Sequence, residues 1–114
     1  MIRNSLFARD AHRPRAFAVP VVGEQHYQEA IRACRPGERV FVCHEPNNRY
    51  DEMALKVQTS EGHCIGYVPK DSWLRPAIHH RGQACTASIL DIRLTNRGIP
   101  DVVLAVALGA QPEQ

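Results

Sequence analysis

Between Phe17 and Leu108 the chain is cut into short apolar runs by turn residues, and no run is long enough for a substantial helix. That rhythm constrains the fold more than any other feature. Strand-length segments separated by turn signals at regular spacing predict a small β-barrel or sandwich. The first run is Phe17–Val22, with Pro20 inside it and Gly23 ending it. A proline removes a ladder donor, so this strand belongs at an edge or a bulge. Arg39–His44 follows the turn Arg35-Pro36-Gly37-Glu38 and carries the buried-type run Val40 to Cys43. Ala54–Val57 and Cys64–Val68 flank the turn Ser60-Glu61-Gly62 and read as a hairpin. Cys85–Leu94 alternates, with Ala87, Ile89, Asp91 and Arg93 opposite Ser88, Leu90, Ile92 and Leu94. Asn96-Arg97-Gly98 turns the chain into the closing strand, Val102–Leu108.

Two segments carry helical spacing. Tyr27, Ala30 and Ile31 share a face within Glu24–Ile31, enough for a turn or a short helix. A second helix is expected from Pro69, with Asp71 or Ser72 as its cap, Trp73, Leu74 and Ile78 as its apolar side, and Gly82 as its end. The expected fold is mainly β, a six-stranded small barrel of OB-like or SH3-like form with one or two short helices. Residues 17–108 make the domain. Residues 1–16 read as a flexible basic arm and 109–114 as a polar tail.

The 114 residues suit one domain with one modest core, and 44% are hydrophobic, so the chain is not disordered by composition. No apolar run approaches the roughly 20 residues of a membrane span. The arm lacks the apolar stretch of a secretory signal. Its four arginines and one aspartate give +3, while the rest of the chain sums to −1. The folded part therefore lacks the broad basic footprint of a general nucleic-acid binder. Any such site must be local, with the arm adding sequence-independent attraction. Cys34, Cys43, Cys64 and Cys85 form no C-x-x-C pair, and they read as reduced, mostly buried thiols of a cytoplasmic protein.

Three segments hold chemistry. The first is the turn Glu45-Pro46-Asn47-Asn48-Arg49-Tyr50-Asp51, which contains no glycine. It offers amide donors and acceptors, a carboxylate and an aromatic ring with a hydroxyl. These could hold a group that presents hydroxyls and a flat ring. Equally, Asn47, Asn48 and Asp51 could fold back on their own backbone as Asx-turns. The second segment, Ile65 to Asp71, delivers Tyr67 and Lys70 at a strand end, either to meet a ligand or as an ordinary amphipathic Tyr and a solvated Lys. The third, Gly23 to Tyr27, sets His26 beside Tyr27. They could stack on bases, or they could be an exposed His and a core Tyr. Two His and Cys groupings, His79-His80 with Cys85 and Cys43-His44 with His63-Cys64, lack the paired spacing of zinc sites. No metal or other cofactor is expected.

In order and spacing, these segments resemble the HIRAN domain. The matching residues are Val21-Val22-Gly23 with Tyr27, Glu45 to Asp51 with Ala54-Leu55-Lys56-Val57, and Gly62 to Pro69 with Ile65-Gly66-Tyr67-Val68 at its centre. The resemblance spans roughly residues 17–108. It implies an OB-like barrel and a non-catalytic module that grips the 3′-hydroxyl end of single-stranded DNA, in repair or replication-fork processing. By motif, Asp51 would accept a hydrogen bond from the terminal hydroxyl and repel a phosphorylated end. Tyr50, Asn47 and Asn48 would shape the end pocket. His26 and Tyr27 would sandwich the terminal bases, and Lys70 would meet a backbone phosphate. Gln25 falls where the family's DNA-binding member has a basic residue, Tyr67 where it has a histidine, and Arg49 where proline is usual. Catalysis would come from a partner such as a helicase or nuclease. A second reading is a protein-interaction barrel that docks on a DNA-processing enzyme.

Overall fold

The computed structural model describes residues 16–109. Residues 1–15 of the arm, and the tail after Gly109, lie outside the described residues. Six strands form one antiparallel sheet in the order β1-β6-β5-β2-β3-β4. They are β1 (Ala16–Pro20), β2 (Arg39–His44), β3 (Leu55–Thr59), β4 (Cys64–Tyr67), β5 (Cys85–Leu94) and β6 (Pro100–Leu108). A 3₁₀ turn at Glu24–His26 precedes α1 (Gln28–Arg32), and α2 (Leu74–His79) links β4 to β5. The architecture is the expected mainly β barrel with two short helices.

Pro20 sits where its missing N–H is harmless, on an edge strand that pairs with β6 alone. The opposite edge is β4. The sheet curls until these two edges meet just past β1. Val22 N–H donates to the Tyr67 carbonyl at 2.8 Å, and Tyr67 N–H returns to Val22 at 2.9 Å. Gly66 makes this approach possible. Its φ is +145°, and a Cβ there would stand 2.7 Å from the Val22 carbonyl oxygen. The rings of Phe17 and Trp73 meet edge to face, with centroids 5.2 Å apart.

The core lies inside the curl. Val19, Val40, Leu55, Val57, Ile65 and Leu104 fill it at strand spacing, and Ile31 and Leu74 enter from the two helices. The sequence expectation differs in two places. The second helix starts at Leu74, not Pro69. Residues 69–73 form turns, with Ser72 N–H on the Pro69 carbonyl and the Ser72 hydroxyl accepting from Leu74 N–H. Trp73 thus lies just outside the helix, makes no side-chain capping bond, and stays partly exposed. The alternation of β5 also breaks. Its register with β6 slips between Ile89 and Asp91, so Leu90 bulges outward and Ile92, not Asp91, packs on the core. Cys34 is buried, the other three cysteines are half-buried, and all four are free thiols. Among the described residues no helix is long and apolar enough to cross a membrane.

Candidate nucleic-acid interface

The turn between β2 and β3 is built by its own side chains. Asn48 Oδ1 accepts from the backbone N–H groups of Tyr50 and Asp51, both at 2.9 Å. These two bonds replace the backbone freedom that glycine would otherwise supply. Asn48 Nδ2 donates to Glu45 Oε1 at 2.8 Å. The Tyr67 hydroxyl donates to the same oxygen at 2.8 Å, and Lys56 Nζ lies 3.5 Å from Glu45 Oε2. Glu45 therefore ties the turn to β4 and β3. The donors of Asn48 and then Tyr67 hold its carboxyl below the ordinary 4.5. Burial, followed by the bond to Glu45, pushes the Tyr67 hydroxyl well up, so it stays a donor at neutral pH.

Asp51 is held more firmly. Arg75 of α2 meets it in a two-point contact, Nη1 to Oδ2 at 2.9 Å and Nη2 to Oδ1 at 3.0 Å. Oδ1 also accepts from Met53 N–H at 3.0 Å. Arg75 is the main reason that its carboxyl stays below the ordinary 3.8. Two histidines brace the same stretch of backbone. His44 Nε2 lies 2.8 Å from the Glu52 carbonyl, and His79 Nε2 lies 2.9 Å from that of Met53. A carbonyl only accepts, so each imidazole carries a proton on Nε2. The two rings meet edge to face at 4.6 Å. Asp51, Met53, Lys70, Arg75, Pro76, His79 and His80 line an open groove of about 520 Å³.

A family model for the HIRAN domain matches residues 14–103. The chain belongs to the HIRAN domain family. Two crystal structures share this HIRAN fold. One is the HIRAN domain of human HLTF, 21% identical over 82% of this chain and 76% of that one, with a TM-score of 0.59. The other is a protein from Lactobacillus plantarum, 20% identical over 83% of this chain and 97% of that one, with a TM-score of 0.60. None of the curated proteins compared matches the chain.

Within this HIRAN domain the nine candidate residues fall into groups. Asp51 and Lys70 share the groove. Tyr50 stands beside it at 87% exposure, and Asn47 is exposed on the same turn. Asn48 is turned inward by the bonds that shape the turn. Tyr27 is half-buried, with its ring 6.4 Å from Tyr67 and 6.3 Å from the exposed His26. Tyr67 joins that aromatic group to the turn through Glu45. Gln25 stands apart. It lines a separate concavity with Asn96, Arg97 and Asp101. Sequence reasoning missed Arg75, weighed His44 and His79 only as metal ligands, and gave Glu45 no role of its own. Local pattern shows nothing to distinguish Arg75 from a solvated helix arginine, since its partner lies 24 residues away.

Proposed function

We propose that this HIRAN domain is a non-catalytic module that binds single-stranded DNA and reads the hydroxyl at its 3′ end, in DNA repair or replication-fork processing. One observation carries the reading. Each carboxylate oxygen can accept about two hydrogen bonds. Among the described residues, Asp51 Oδ1 takes two, from Arg75 and Met53 N–H, whereas Oδ2 meets only Arg75 Nη1, at 2.9 Å. One acceptor position is left on a carboxylate that is fixed and ionised beside the groove. A terminal hydroxyl can donate there. Lys70 sits on the same groove, where a positive charge suits the backbone phosphate. The exposed ring of Tyr50, and the His26–Tyr27 pair, provide π-faces on which bases stack at about 1–3 kcal/mol each.

Fluorescence anisotropy with oligonucleotides that differ only at the 3′ carbon tests this. A hydroxyl end should bind roughly tenfold more tightly than a deoxy end, the value of one hydrogen bond to a charged acceptor. Asp51→Ala should erase that difference. Equal affinity of the unaltered protein for both ends would sink the end-reading role.

A second reading has its own support. Leu94 is 79% exposed and borders an apolar groove with Ile31, Ile92 and Pro100, on the α1 side of the barrel. Such a surface suits a docking contact with a helicase or nuclease. Co-purification of such an enzyme that survives Asp51→Ala but not Leu94→Glu would favour it.

A further inference from the structure

We propose that Arg75 sets how strongly the groove discriminates between strand ends, making it tolerant of a 3′-phosphate; the inference rests on the end-reading role of Asp51. A bare carboxylate at this position would turn away a doubly charged phosphate. Here the carboxylate is not bare. The guanidinium covers both of its oxygens, at 2.9 and 3.0 Å, and the pair is electrically neutral. Lys70, on the same groove, then leaves Asp51, Arg75 and Lys70 together with one net positive charge. Arg75 also retains donors. A guanidinium has five N–H groups, and the two-point contact with Asp51 engages two of them. Arg75 itself lines the groove, so donors and charge stand where a terminal phosphate would sit. Its side chain is 13% exposed, which keeps it in place without hiding it.

The groove thus reads two ends by different atoms. A hydroxyl donates to Asp51 Oδ2. A phosphate accepts from Arg75 and Lys70, and its repulsion from Asp51 is offset by the guanidinium. Arg75 is a specificity-determining residue in this scheme, and the sign of its effect separates it from a structural prop. A prop lost would blur the site and shrink every preference. Arg75 lost should sharpen one of them.

The test measures affinities of the full chain for strands ending in 3′-hydroxyl, 3′-deoxy and 3′-phosphate, for the unaltered protein, Arg75→Gln and Arg75→Lys. In the unaltered protein the phosphate end should bind within about threefold of the hydroxyl end, as a charge-compensated site allows. Arg75→Gln should widen that gap to roughly tenfold or more, by exposing the carboxylate. Arg75→Lys keeps the charge and should stay near the original ratio. A gap that is unchanged or narrowed in Arg75→Gln overturns the proposal, as does Arg75→Lys behaving like Arg75→Gln. Should Arg75→Gln fail to fold, the unaltered protein still decides, because a tenfold rejection of the phosphate end overturns tolerance directly. Loss of the hydroxyl-over-deoxy preference in the unaltered protein defeats the end-reading role and this inference together. That preference intact, with an unmoved phosphate ratio, defeats this inference alone.

Discussion

Glu45 gathers the amide of Asn48, the hydroxyl of Tyr67 and the ammonium of Lys56 on one carboxylate. Tyr67→Phe removes one of these donors and leaves the ring in place. It should cost about 1 kcal/mol in urea unfolding, since a partly exposed charge recovers some solvation. The loss in DNA affinity should be small if Tyr67 acts only through Glu45. At this scale the sequence offered two alternatives for the turn, Asx chemistry or a ligand pocket, and the structure shows the Asx chemistry at Asn48 and Asp51. Asn48 spends its carbonyl on backbone N–H groups, as a turn residue does. Asp51 makes one such bond and has acceptor capacity left over. Arg75 was not legible, because an arginine's partner depends on where the fold brings its helix. The same holds for His44 and His79, whose bonds to adjacent carbonyls exist only once β2 and α2 are in place.

Strand identity was written in the apolar runs, and all six strands begin within two residues of their expected starts, with β2 and β5 matching at both ends. What could not be read was local irregularity. The clean alternation of Cys85–Leu94 gives no hint of the bulge at Leu90, because a bulge answers to the curvature of its partner strand. The late start of α2 has a local cause, a proline that cannot lie deep inside a helix. Pro76 is tolerated inside so short a helix because it lies in the first turn, where its missing N–H is no loss. The seam between β1 and β4 makes the sharpest demand on one residue. Gly66→Ala would force a methyl against the Val22 carbonyl at a positive φ. It should cost roughly 3 kcal/mol and show as a lowered thermal midpoint. Gly62→Ala also has positive φ but meets open space, so it should cost about 1 kcal/mol. A larger loss at Gly62 than at Gly66 would contradict this account of closure.

For the whole molecule, acid stability follows from the two turn carboxylates. Glu45 and Asp51 both have folded values below the ordinary 4.5 and 3.8. Their contribution is therefore complete above those ordinary values and is lost as pH falls through the depressed ones. The unfolding midpoint should hold down to about pH 5 and fall below about pH 4. Tyr67→Phe and Arg75→Gln should each shrink that acid-dependent drop. Glu24 works in the opposite sense. Burial raises its carboxyl, so it costs stability as pH rises through its folded value. Binding should also depend only mildly on salt. Two local cations on a single strand, Lys70 and Arg75, predict a log–log slope of about −1.4, and a much steeper slope would point to the arm. The barrel class was visible in strand spacing; how the barrel shuts was not. That closure has a dynamic consequence. Tyr67 belongs to the seam by its backbone and to the β2–β3 turn by its hydroxyl. In hydrogen–deuterium exchange the two regions should then behave as one cooperative unit, with the amides of Val22, Tyr67, Tyr50 and Asp51 opening together at a shared free energy.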